Sequence, residues 1–167
     1  TYGLTSSSGL LDPQFGFEAL SNTLVPALAG VDILSGLGST ADVMVAGPEI
    51  AVLDDEMASL VKHIAAGCEV SEATLAYDVM AGTIPRDGVF LGEMHTVKQM
   101  RRGALWMPGI STRGQGEAEA PTEGVVARAR TRARDLIRSH EPPPLPDDTR
   151  RHLDEILNRA RRELIKD

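Results

Sequence analysis

The chain has 167 residues, enough for one ordinary domain with a core or for a part of a larger one. Its 17 basic and 24 acidic side chains leave a formal net charge of −7, which argues against nucleic acid as a partner, because phosphate backbones need a basic surface. Cys68 is the single cysteine, so no internal disulfide or thiolate cluster can form, a usage that suits a cytoplasmic location. No apolar run reaches the roughly 18 residues of a membrane helix and no signal-type leader opens the sequence, so no membrane association is expected.

Residues 1–5 read as the middle of a strand, as they would in part of a longer protein. The junction that follows holds most of the information. Asp12 fits a helix N-cap, Pro13 fits the first helical position, where no N–H is needed, and Gln14 and Glu18 share a helix face four residues apart. Apolar residues at Phe17, Leu20, Leu24 and Leu28 continue the helix, with Pro26 as a point of kinking, until Gly30 ends it. Residues 31–35 read as a second strand and residues 36–40 as the loop leaving its C-terminal end.

Residues 48–66 form an amphipathic pattern through Leu53, Met57, Leu60, Val61 and Ile64, closed by Gly67. With a helix starting at Pro48, Asp54, Asp55 and Glu56 are mid-helix charges expected to face solvent. Ser71 caps the next helix, which buries Leu75 and Val79 and ends in the turn residues between Gly82 and Gly88. Residues 89–92 are a brief apolar run, read as a strand; Glu93 and His95 follow it, two apart and on one side if the strand continues, and Thr96 caps a helix through Arg101. Residues 104–121 read as a glycine-rich surface loop anchored by Trp106. Two helices finish the chain within residues 122–167. The first, over 123–139, buries Val125, Val126, Ala129, Ala133, Leu136 and Ile137; the second, from Asp148, carries Leu153, Ile156, Leu157, Ala160 and Leu164; a polyproline spacer lies between them at 142–146.

Short strands alternating with helices, with polar residues at the strand ends, predict an α/β fold in which residues 1–103 are the C-terminal part of a (β/α)8 TIM-type barrel, with additional C-terminal helices. A full barrel needs about 200 residues or more, and a small open sheet is the structural alternative. Part of a barrel leaves a strand edge and an apolar face uncovered, so a homo-oligomer formed by dimerisation or swapping, or else marginal stability, is expected.

In their order and spacing, Asp12-Pro13-Gln14 with Gly16 and Glu18, the segment from Gly30 to Gly38, Asp54-Asp55-Glu56, the run from Phe90 to Thr96, Trp106 with Pro108, and Arg128-Ala129 followed by Pro144-Leu145-Pro146 resemble the C-terminal portion of the trimethylamine methyltransferase family. That resemblance implies a barrel enzyme that takes a methyl group from a methylated amine, such as trimethylamine or glycine betaine, and passes it to the cobalt of a separate corrinoid protein. The chain itself would then bind no cofactor tightly. Some members carry pyrrolysine, in a part of the sequence that would precede Thr1. The glycine-rich stretch after Met107 departs from the family pattern.

Such a transfer is a displacement at carbon. It demands that water be excluded and the C–N bond aligned, and a quaternary ammonium is held by aromatic faces or by carboxylates at a distance. The candidate substrate-binding residues are Asp12, Gln14, Phe15, Glu18, Glu93 and His95, their two clusters converging on one cavity rim. Five of these have a structural alternative: core packing for Phe15, capping for Asp12 and Gln14, a solvated or paired carboxylate for Glu18, a backbone carbonyl partner for His95. Gly36 and Gly38 form a loop that the resemblance alone puts beside the cobalamin, since they lack the third glycine and the lysine of known phosphate cradles. No catalytic residue is assigned. A protein-bound metal is not expected, because His63 has Gly67 rather than a ligand four residues on. The arginines at 128, 130, 132, 134 and 138 offer a reading from another class, a non-catalytic interaction domain that docks through its C-terminal helices. No serine or cysteine nucleophile signature supports a hydrolase.

Overall fold

A computed structural model describes residues 1–112 and 123–164. The chain divides into two compact units, Thr1–Asp135 and Leu136–Asp167. The architecture is mostly helical with one small two-stranded sheet, and no barrel is present among the described residues.

Helix α1 (Pro13–Leu28) begins as its sequence dictates: Asp12 is extended, its side chain accepts from the Phe15 N–H at 3.0 Å, and Pro13 occupies the first turn. It ends at Ala29, and Gly30 turns the chain at φ +84°. Its buried face is Phe15, Ala19 and Thr23, whereas Phe17 and Leu28 of the expected stripe are exposed. The reason is the segment that precedes the helix. Gly3 lies so close to α1 that an added Cβ would stand 3.3 Å from Thr23 Cα, and Thr23 Oγ1 accepts from the Leu4 N–H at 2.8 Å while donating to the Ala19 carbonyl. A threonine satisfied in this way can be buried where hydropathy would place a leucine.

Residues 1–5 and 31–35 do not form regular strands. They meet in a single parallel bridge, Tyr2 to Ser35, in which the Gly3 N–H donates to the Ser35 carbonyl at 2.8 Å and the Ser35 N–H to the Thr1 carbonyl at 3.0 Å. Two extended segments with no described neighbour on either outer edge have too few ladder bonds to extend further. The regular sheet lies downstream: β1 (Ser39–Thr40) pairs antiparallel with β2 (Val45–Ala46), Ser39 opposite Ala46 and Thr40 opposite Val45. The turn between them holds Ala41, Asp42 and Val43 at φ 51°, 52° and 70°, three consecutive non-glycine residues in the left-handed region. Each costs about 1–2 kcal/mol relative to ordinary backbone, so surrounding contacts must hold the turn.

Helix α2 (Pro48–Ala65) packs on α1 and buries Ile50, Leu53, Asp54 and Val61. Phe15 and Ala19 from α1, Ile50 and Leu53 from α2, and Ala129 from the last helix of this unit form one apolar cluster. Burying each of the large side chains contributes about 1.5–3 kcal/mol. The expected solvent position of Asp54 is therefore wrong: it is fully buried, because positions 50, 54 and 61 fall on one face of α2.

Helices α3 (Glu72–Leu75) and α4 (Tyr77–Thr83) follow, the first capped by Ser71 as expected, with the left-handed Ala76 between them. Residues 89–92 are not a strand. They turn through hydrogen bonds from the Val89 N–H to Asp87 Oδ1 and from the Glu93 N–H to the Phe90 carbonyl, with Leu91 exposed. Helix α5 (Met94–Arg101) takes Glu93 as its N-cap residue, and Thr96 sits inside it, donating to the Phe90 carbonyl at 2.7 Å, rather than capping it. Helix α6 (Val125–Ser139) buries Ala129 and Ala133 but leaves Val125, Leu136 and Ile137 exposed; α7 (Asp147–Leu164) has no buried residue.

Gly36 is required by the parallel bridge. At φ +108°, a Cβ there would stand 2.3 Å from the Gly3 carbonyl oxygen. Gly36→Ala is expected to lower stability by roughly 3 kcal/mol or more, against about 1 kcal/mol for Gly88→Ala, which is also left-handed but faces open space. Urea denaturation of the two variants checks the difference.

Candidate functional site

The loop that follows the first extended segment and the loop that follows the second are joined directly. The carbonyls of Ser6 and Ser8 accept from the Asp42 and Ala41 N–H groups at 3.1 Å each, and Thr40 Oγ1 donates to the Ser8 carbonyl at 2.7 Å. Ser7 Oγ donates to Asp42 Oδ1 at 2.9 Å. These bonds hold the left-handed turn and bring Asp42 beside the start of α1.

Glu18 is the hub of the same junction. Its Oε2 accepts from Ser6 Oγ at 2.7 Å and the Ser7 N–H at 2.8 Å, and its Oε1 accepts from Gln14 Nε2 at 2.8 Å. The Ser6 hydroxyl, then the Gln14 amide and the Ser7 N–H, hold the Glu18 carboxyl below its ordinary pKa, so it is charged at neutral pH. Asp12 is likewise held low, chiefly by the Phe15 N–H, and Ser8 Oγ donates to it at 3.1 Å. Asp12, Gln14 and Glu18 thus share one network with Ser6, Ser7, Ser8 and Asp42; the sequence-based reading had not included Asp42 or the serines.

Glu93 and His95 join neither that network nor the apolar cleft that Asp12 and Phe15 border. Glu93 accepts from Thr83 Oγ1 at 3.0 Å and pairs with Arg86, whose guanidinium holds the Glu93 carboxyl low. His95 Nε2 bonds the Ala73 carbonyl at 2.7 Å, which requires the proton on that nitrogen. The single shared rim expected for the two clusters is therefore not built by common partners among the described residues.

Gly38 donates its N–H to Asp54 Oδ2 at 2.7 Å, while Asp54 Oδ1 is buried without a partner among the described residues. Burial pushes the Asp54 carboxyl up to about 7 against the smaller opposing effect of the Gly38 N–H. Gly36 and Gly38 thus have structural explanations within the chain, one against the Gly3 backbone and one on Asp54.

Glu56 uses its charge differently. Its two oxygens accept from the N–H groups of Gly109, Ile110 and Ser111 at 2.7, 2.9 and 2.8 Å, and from the Ser111 hydroxyl. Burial opposes its charge, but the Ser111 hydroxyl and the three N–H groups outweigh that and hold its pKa low. Trp106 Nε1 donates to Ser59 Oγ at 3.1 Å and Arg128 Nε to the Ile110 carbonyl at 2.7 Å, so this part of the loop is pinned to α2 and α6. Phe15, Leu53, Met57, Trp106 and Ile110, with Asp12 and Glu56 at the polar margin, line an apolar cleft of about 540 Å³. The glycine-rich residues from Arg113 to Pro121 lie outside the described residues.

Among the described residues, no group of three or more His, Cys, Asp or Glu side chains could hold a metal, and no helix is long and apolar enough to cross a membrane. Of the arginine run, Arg128 bonds the Ile110 and Glu123 carbonyls and Arg130 pairs with Glu49 at 3.4 Å, so both are engaged inside the first unit.

A family model described as trimethylamine methyltransferase matches residues 1–165. The chain belongs to that family. It is 27% identical over 165 residues to "Trimethylamine methyltransferase MttB2" of Methanosarcina mazei, covering 96% of this chain and 32% of that protein. It is 29% identical over 153 residues to "Glycine betaine methyltransferase" of Desulfitobacterium hafniense, covering 86% of this chain and 32% of the relative. With "Trimethylamine methyltransferase MttB" of Methanosarcina barkeri the identity is 27% over 163 residues, 95% of this chain and 32% of the relative. The chain spans about a third of the length of these relatives.

The Asp54 carboxyl has a calculable effect on stability. Below the unfolded value of 3.8 it is protonated in both states; between 3.8 and about 7 the unfolded chain alone releases the proton, so stability falls as pH rises and the loss is complete above about 7. The full span is worth up to about 4 kcal/mol. Asp54→Asn is expected to flatten this limb and to raise the melting temperature at pH 8, as a pH series of thermal melts would show. Glu56→Ala should release residues 109–111, seen as a rise of about tenfold or more in amide hydrogen exchange there.

Proposed function

We propose that this chain is the C-terminal portion of a barrel methyltransferase that moves a methyl group from a methylated amine, trimethylamine or a quaternary amine such as glycine betaine, to the cobalt of a corrinoid carried by a separate protein. Family membership supports the enzyme class. The observation that carries the reading is the parallel bridge between Tyr2 and Ser35 across α1, since a parallel pair joined by a helix is the repeating unit of a (β/α)8 barrel, and such barrels bear their sites on the loops after the strands. Those two loops carry Ser6, Ser7 and Asp42, and Glu18 on α1 is hydrogen-bonded to the first of them.

The corrinoid cobalt supplies the methyl acceptor. What this chain's residues contribute is position and field. Glu18, charged and fixed by three donors, attracts a cationic ammonium without a direct hydrogen bond, which a quaternary amine has no N–H to make. Asp42, held by Ser7, adds a second carboxylate to the same hydrogen-bonded network. The hydroxyls and amide that hold them are already in place, so the charges do not reorganise during reaction. A cytoplasmic setting, without membrane or nucleic acid, accords with the exposed free Cys68 and the net acidity.

The test is a methyl-transfer assay with the full-length parent protein, a corrinoid protein and either amine. Glu18→Gln is expected to raise KM for the amine about tenfold with a smaller change in kcat, the pattern of lost ground-state attraction. No methyl transfer by the unaltered protein from any methylated amine would overturn the function, and an unchanged KM in the variant would overturn the role of Glu18.

A further inference from the structure

The second unit has no buried apolar residue among those described, yet α7 carries Leu153, Ile156, Leu157, Ala160 and Leu164 along one face. Leu157 is 53% and Leu164 81% exposed. A stripe of this kind over about 17 Å of helix demands a covering surface. The charges beside it indicate which one. Residues 147–155 hold four carboxylates against Arg150 and Arg151, whereas residues 156–164 hold three arginines against Glu163. The N-terminal half is therefore net negative and the C-terminal half net positive.

We propose that two copies of this chain pair antiparallel through α7. That arrangement lays each acidic half on a basic half and opposes the two helix dipoles, whereas a parallel pair would set like halves together. Centred between Ile156 and Leu157, it sets Leu153 against the partner's Ala160 and Ile156 against the partner's Leu157. Arg150, Asp154 and Arg161 flank the stripe on one side and His152, Arg159 and Glu163 on the other; in an antiparallel pair each flank meets its own kind, so Asp154 falls beside the partner's Arg161 and Glu163 beside the partner's His152. Arg151 and Arg162, which would repel, lie on the far face.

Sedimentation equilibrium on the whole chain over a concentration series tests this. The unaltered chain is expected to dimerise, and Leu157→Asp to weaken the dimer by about a hundredfold. Asp154→Arg should weaken it about tenfold and the exchange Asp154→Arg with Arg161→Asp should restore it, with helix content by circular dichroism unchanged. A chain that stays monomeric throughout, as it would if a different protein covered the stripe, overturns the proposal. So does a dimer indifferent to Leu157→Asp, or an exchange that restores nothing.

Discussion

The carbonyls of Ser6 and Ser8 hold the first unit's polar end together. They accept from Thr40, Ala41 and Asp42 and so fasten the loop after one extended segment to the loop after the next. The two bonds from the Ala41 and Asp42 N–H groups are backbone-to-backbone and do not depend on side-chain rotamers, and they help three successive left-handed residues persist at Ala41, Asp42 and Val43. Without that clamp, Ser7 would not link Asp42, on a loop, to Glu18, on α1.

Three acidic residues of α1 and α2 illustrate how burial and hydrogen bonding select opposite protonation states. Glu18 and Glu56 accept several donors each and remain charged. Asp54, with one donor and a second oxygen lacking a partner, is pushed toward the neutral form. The difference lies in the depth of burial set against the number of N–H and O–H groups delivered to each carboxylate, not in the residue type. Glu56 gains its donors from a loop more than fifty positions away, so the same interaction that keeps it ionised fixes Ile110 and Ser111 in the lining of the apolar cleft.

The family relation and the partial span bear on how the fold should be understood. A parallel bridge with one helix between its two segments has no further described strand on either side to extend it into a regular sheet. The mostly helical arrangement follows from the same fact, since helices satisfy their own backbone groups and strands do not. The second unit obeys a related rule at the level of side chains: α7 forms readily from its periodicity but has nothing described to bury its stripe against.

Local chemistry was legible in the sequence. The cap at Asp12, Pro13 in the first turn, the Gln14 to Glu18 contact, Ser71, and the existence of α1, α2, α6 and α7 follow from interactions within a few residues, which a linear sequence displays. The resemblance carried by ordered motifs from Asp12 to Pro146 was legible too, and the family match agrees with it. Tertiary contacts decided the rest. Hydropathy favoured Phe17 and Leu28, but the close passage of Gly3 turned α1 to bury Thr23. Residues 89–92 have strand-forming side chains and no described strand beside them. Asp54 and Glu56 look alike in sequence; only the face of α2 they occupy, and the loop that returns to meet one of them, made the first a buried near-neutral acid and the second a charged anchor.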